Sequence, residues 1–291
     1  MADPQPLRLG ARTFGPDELV VMAIVNRTPD SFFAGARTFG LDAALERVDQ
    51  AVAQGAGIID VGGVKAGPGD EVDEVEEARR VIDLIAAIRA RHSDIVISVD
   101  TFRSSVADRA CQAGADLVND AWGGWDPDLA AVAAAHGAGI VCTHAGGLKP
   151  RTRPHRVEYD DVVGHVIQSV TDLAQLAVDA GVDRSSIIID PGHDFGKNSH
   201  HSMLVTRRLD ELVETGWPVL VALSRKDFIG EALDLPPDDR LEGTLAATAV
   251  SAWLGARVFR AHDVEATTRV LRTVAAIRGT ANLAAVKRGL A

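Results

Sequence analysis

Residues 20–25 read VVMAIV and run directly into Asn26, so six apolar side chains end at a polar one. The pattern recurs in IIDVG (58–62), IVISV (95–99), DLVND (116–120) and GIVCTH (139–144). It continues in IIID (187–190), VLVALS (219–224) and RVFRAH (257–262). Short β-branched runs that are apolar throughout suit parallel strands covered on both faces. Helical patterns lie between them, at 41–55, 71–92, 104–114, 160–181 and 241–256. Eight such runs, each followed by helix-like sequence, predict a single-domain (β/α)8 TIM barrel, a fold usually of ~250 residues. The whole of 1–291 reads as one domain, with a barrel core at about 20–278 and LRLGARTFG (7–15) as a short hairpin closing its bottom. A doubly wound open sheet remains the alternative that a strand count leaves standing.

Composition narrows the function. The chain is 46% hydrophobic and 24% charged, ordinary for a globular protein with a sizeable core. A formal net charge of −11 argues against nucleic acid or an anionic membrane as partner. No apolar run approaches the ~18 residues that span a bilayer. The start, MADPQPLRLG, has neither the basic head nor the apolar centre of a secretory signal, so a cytoplasmic protein is expected. Cys111 and Cys142 are expected as free thiols. None of the nine histidines has a zinc-like spacing.

The strand ends carry the chemistry. The runs stop at Asn26, Asp100, Asn119, His144, Asp190, Ser224 and Arg260, which a barrel gathers on one face. Asp100, Asn119 and Asp190 make an acceptor-rich set suited to a planar heterocycle with adjacent donors and acceptors. Taken singly, Asn119 or Asp120 reads rather as a helix N-cap. Ser224-Arg225-Lys226 and Arg260 with His262 offer local positive charge for a phosphate or pyrophosphate.

Six segments resemble the signatures of the dihydropteroate synthase family: NRTPDSF (26–32), SVDT (98–101), VND (118–120), DPGHDFGK (190–197), SRK (224–226) and RAHDV (260–264). Their order and spacing match along residues ~20–270, nearly the whole chain. The resemblance implies a TIM barrel, a homodimer and a pterin ligand. It implies a reaction joining dihydropterin-6-methyl pyrophosphate to p-aminobenzoate with Mg2+. By the same resemblance Asp100, Asn119, Asp190 and Lys226 would hold the pterin. Asn26, Arg260 and His262 would hold the pyrophosphate, with Asn26 reaching its Mg2+, and Ser224 and Pro68 would lie on the p-aminobenzoate side.

Two loops depart from the family pattern. GGVKAGPG (62–69) has Val64, Lys65, Ala66 and Gly67 where the family has Glu, Ser, Thr and Arg. The first loop has Arg27 for a valine, then Phe33, Ala34, Gly35 and Ala36, and its aspartate is lost at Ala34. His193 and Asp194 replace Phe-Gly and are expected near the second substrate's ring. Thr143-His144-Ala145 replaces Met-His-Met, removing an apolar wall. Interactions made only in a closed, reacting complex govern turnover more than they govern binding of an inert ligand. The expectation is therefore a family member with very low or absent synthase activity. An active synthase with unusual loops and a pterin-dependent methyltransferase are the other readings. Lys149, Arg151, Arg153 and Arg156 form a basic loop that reads either as solvated or as a site for a phosphorylated metabolite or acidic partner.

Overall fold

The structure is a computed structural model that describes residues 5–27, 39–67, 69–152, 158–285 and 288. A two-stranded antiparallel hairpin, β1 (Leu7–Leu9) and β2 (Arg12–Phe14), precedes eight parallel strands. These are β3 (Val20–Asn26), β4 (Ile58–Gly62), β5 (Val96–Asp100), β6 (Leu117–Asp120), β7 (Gly139–Thr143), β8 (Ile187–Asp190), β9 (Leu220–Ala222) and β10 (Val258–Ala261). They pair in the order β8-β7-β6-β5-β4-β3-β10-β9. A parallel bridge from Ile189 to Val219 returns β9 to β8 and closes the ring. The predicted TIM barrel is correct, and each strand lies inside or within one residue of its apolar run.

Among the described residues the outer layer consists of α1 (Phe39–Ala53), α2 (Glu74–Arg91), α3 (Ser104–Gln112), α4 (Leu129–Ala135) and α5 (Val162–Asp179). It continues with α6 (Ser199–Arg207), α7 (Leu209–Val213), α8 (Asp227–Leu233), α9 (Leu241–Trp253) and α10 (Val264–Arg278). Polar residues after the strands start several of them. Asp73 accepts from Glu76 N at 2.8 Å ahead of α2, and Asn198 accepts from His201 N at 2.8 Å ahead of α6. Gly279, at φ 74°, ends α10 in the left-handed conformation that glycine adopts without strain. No helix among the described residues is long and apolar enough to cross a membrane.

Strand alternation makes two apolar layers. Val21, Ala23, Ile59, Val61, Ile97, Val99, Val118 and Ile140 face the helices. Val20, Met22, Ile58, Val96, Leu117, Val141, Ile188, Leu220 and Val258 fill the barrel, together with Leu7, Leu9 and Phe14 of the hairpin. The hairpin therefore plugs the bottom, as expected. Arg257 fixes it to β10 by donating to Gln5 O at 2.7 Å and Gly15 O at 2.6 Å. With the lower barrel filled by hydrocarbon, polar side chains on the same inward positions are left to the upper end.

Candidate functional site

Four inward positions at the upper end lie in one register row. Asn26 pairs with Gly62, Gly62 with Asp100, and Asp100 with Asn119, across β3 to β6. The glycine in this row is required by space. A Cβ at Gly62 would lie 2.8 Å from Asn26 Oδ1 and 3.7 Å from the Asp100 side chain. Only a residue without a side chain lets the amide and the carboxylate face the same cleft.

Below this row sits a buried charge cluster. Arg260 Nε donates to Asp60 Oδ2 at 2.6 Å, and its Nη2 donates to Asp100 Oδ2 at 2.7 Å. Asp60 is fully buried and accepts from Ser98 Oγ at 2.6 Å and from Asn119 Nδ2 at 3.3 Å. Burial works against the charge on Arg260, but Asp60 and Asp100 outweigh it and raise its pKa. Asp100 is pushed up to about 7, first by burial, with Arg260 pulling it down and Asp60 adding to the rise. Arg260 Nη1 has no protein partner among the described residues and remains available to a ligand.

Across the mouth, Asp190 is 5% exposed and its Oδ1 accepts from Gly192 N at 2.7 Å. Burial raises its pKa, against the attraction of Lys226, Lys197 and Arg260. Lys226 donates to His193 O at 2.5 Å and lies 4.9 Å from the centre of the Phe195 ring. Desolvation lowers the Lys226 pKa, while Asp194 and Asp190 oppose the shift. At the ends of β9 and β10, Ser224 Oγ accepts from His262 N at 3.3 Å, and the His262 ring is exposed. Two carboxylates, two cations and two amides thus surround one cleft, with titrations displaced by burial, as is common at functional sites.

A second chain, running from buried Lys197 and His144 out to exposed His165, supports the Asp190 turn. Lys197 donates to Gly192 O and Phe195 O, each at 3.0 Å, and to His144 Nδ1 at 2.5 Å. Burial lowers the Lys197 pKa to about 7 and that of His144 to about 3, so the imidazole is neutral. With Nδ1 accepting from the lysine, His144 donates through Nε2 to His165 Nδ1 at 3.0 Å. His165 packs edge-on against Tyr159, whose hydroxyl donates to Gly196 O at 2.8 Å.

Other expected residues point elsewhere. Arg225 leaves the cleft to pair with Asp263 at 3.0 Å and with the Pro237 and Asp238 carbonyls. His193 was expected beside the second substrate, but it is fully buried, bonded to Thr206 at 2.9 Å and stacked on Phe228. Asp194 is likewise taken up by Ser202 and by the N-terminus of α8. Asp120 accepts from Trp122 N and Gly124 N, a turn-forming role. The sequence assigns no role to Asp60, Ser98, Lys197 or His165, and marks His144 only as a strand-end residue. Alternation on β4 was the available signal for Asp60, since it is the inward residue between Ile58 and Gly62. Of the remaining expected positions, residues 28–32 and 33–36, Pro68, Arg153 and Arg156 lie outside the described residues.

With this geometry in hand, comparison with known proteins places the chain. The sequence profile of the pterin-binding enzymes matches residues 22–262. A Mycobacterium leprae protein named inactive dihydropteroate synthase 2 is 54% identical over 287 residues, covering 97% of this chain and 99% of that protein. The dihydropteroate synthase of Bacillus subtilis is 41% identical over 263 residues, covering 90% and 89%. The solved structure of Xanthomonas albilineans dihydropteroate synthase with 7,8-dihydropteroate superposes with a TM-score of 0.84 at 34% identity, covering 94% of this chain and 99% of that one.

The charge cluster generates a pH test. Because Asp100 is raised from 3.8 to about 7, the folded state holds more protons than the unfolded state between those values. Stability therefore falls as pH rises through that window. Arg260→Met removes the cation that limits this loss, leaving fully buried Asp60 beside half-buried Asp100. The expected cost is about 3–5 kcal/mol at pH 8 and distinctly less at pH 5, read by urea denaturation. An equal cost at both pH values would show that Arg260 does not serve to hold the carboxylates ionised.

Proposed function

The chain belongs to the dihydropteroate synthase family of pterin-binding enzymes, and from that premise we propose that it binds a pterin pyrophosphate but condenses it with p-aminobenzoate very slowly or not at all. The observation that carries this reading is the contrast between floor and loop. The floor keeps the row of Asn26, Asp100 and Asn119 with Arg260, Asp190 and Lys226 around it. In the β4–α2 loop, positions 64–67 are Val, Lys, Ala and Gly, which between them carry no carboxylate, hydroxyl or guanidinium.

In this proposal Asp190 uses its free oxygen, and Asp100 and Asn119 use theirs, to take the donor edge of an amino-pyrimidinone ring. Lys226 supplies a donor to the same ring. Arg260 Nη1 and His262 face the pyrophosphate, and Ser224 lies on the p-aminobenzoate side with Pro68. The Asn26 amide makes no hydrogen bond among the described residues and fits one oxygen ligand of Mg2+. That ion would neutralise charge on the departing phosphates. The loops would then have to exclude water while the amine attacks, and this is the step the emptied loop serves poorly. The name of the Mycobacterium leprae relative supports the same conclusion.

Calorimetry with dihydropterin pyrophosphate, run with and without Mg2+, should give Mg2+-dependent binding. An assay with p-aminobenzoate on the same preparation should give little or no dihydropteroate. Turnover on the order of 1 s⁻¹ or faster, ordinary for an enzyme, would refute the impaired-loop reading.

The proposed assembly is a homodimer through α9 and α10. Val250 and Trp253, one helical turn apart on α9, are 50% and 59% exposed, and Ile277 on α10 is 68% exposed. Arg278 donates to Ala252 O at 3.1 Å, which brings the ends of α9 and α10 together. Large apolar side chains exposed on neighbouring helices suit an association surface. Sedimentation should find a dimer that Trp253→Glu converts to monomer; a monomeric wild-type protein would rule this out.

A further inference from the structure

Among the described residues, Arg151 above the site has no hydrogen-bond or ion-pair partner. Arg151 lies in the β7–α5 connection with φ 63°, a left-handed conformation that bulky residues rarely adopt. Its guanidinium rests on the β4–α2 connection, where a Cβ at Gly69 would come 3.1 Å from Arg151 Nη2. In the barrel β4 and β7 are separated by β5 and β6, the strands that carry Asp100 and Asn119. The contact therefore spans that side of the barrel mouth. Gly69, lacking a side chain, permits the approach.

The bonding of Arg151 is what points to a ligand. Its Nε is buried and makes no hydrogen bond, and no described carboxylate pairs with the guanidinium. Other arginines around the upper end are paired with carboxylates. Arg103 pairs with Glu77, Arg80 with Glu76, Arg225 with Asp263 and Arg260 with two aspartates. A guanidinium held in a strained loop, partly shielded from water and unpaired among the described residues, is suited to receive an anion with two oxygens in its plane.

We propose that Arg151 is a further anion-binding residue of the barrel mouth, pairing with a carboxylate or phosphate group on a ligand seated at the strand ends. The proposal rests on the strand-end pocket described under Proposed function. It gives one residue of the basic 149–156 loop a defined role, and it makes the favoured ligand anionic at the end that faces Arg151.

The test uses the full chain as wild type, Arg151→Ala and Arg151→Lys, with binding followed by calorimetry. The probes are unphosphorylated 6-hydroxymethyl-dihydropterin, its pyrophosphate, 4-aminobenzoate and the neutral 4-aminobenzamide. Arg151→Ala should weaken one anionic probe by about 10- to 100-fold, the range for losing a charge-assisted hydrogen bond. The unphosphorylated ring should be unaffected, and Arg151→Lys should restore part of the loss. A loss confined to the pyrophosphate identifies a phosphate subsite. A loss for 4-aminobenzoate but not for the amide identifies a carboxylate subsite. Equal binding of both anions by wild type and Arg151→Ala, with the ring still bound, overturns the proposal alone. If the ring fails to bind even the wild type, the pocket reading is overturned and this proposal with it.

Discussion

The upper half of this barrel depends on one guanidinium held between two carboxylates. Arg260 bonds Asp60 at 2.6 Å and Asp100 at 2.7 Å, and Asp60 is in turn fixed by Ser98 and Asn119. These side chains come from β10, β4, β5 and β6, so the cluster ties together strands far apart in sequence. Buried ion pairs contribute little net stability compared with well-packed hydrocarbon, yet leaving one member alone is costly. The cluster therefore matters less as a source of stability than as a device that holds a polar, titratable floor open above a filled hydrocarbon core.

The architecture was legible because parallel strands buried on both faces write themselves as continuous apolar runs. The polar residue ending each run located Asn26, Asp100, Asn119 and Asp190, and three of these fall in one register row. Asp60 escaped notice because it lies within an apolar run rather than at its end, where only the alternation of inward and outward positions reveals it. Direction was harder to read than position. Arg225 and Lys226 are adjacent in sequence, but the left-handed backbone at Arg225 sends its side chain to Asp263 while Lys226 turns toward the cleft. His193 similarly found a buried partner in Thr206, a contact across elements that no local pattern encodes.

Floor and loops rest on different physics. The floor is built on strand ends whose orientation is fixed by the ladder and by the buried cluster, so its residues keep their places without a ligand. The loops above it act only by closing, and their contribution appears in the reacting complex rather than in the resting one. A chain can therefore keep the floor while altering the loops and remain a well-ordered barrel. The supporting chain through Lys197, His144 and His165 reinforces this separation, since it secures the Asp190 turn from beneath and does not involve the β4–α2 loop.

The central claim is that the floor is competent and the loops limit the chemistry. Restoring the family pattern with Ala34→Asp, Val64→Glu, Lys65→Ser, Ala66→Thr and Gly67→Arg tests it directly. Room exists at Gly67, where an added Cβ would meet only the end of the Lys65 side chain, at 3.9 Å. Turnover of dihydropterin pyrophosphate with p-aminobenzoate should rise by about tenfold or more, corresponding to ~1.4 kcal/mol of added transition-state stabilisation, with pterin affinity little changed. No gain in turnover by a restored protein that still binds the pterin would place the defect in the floor and contradict the account.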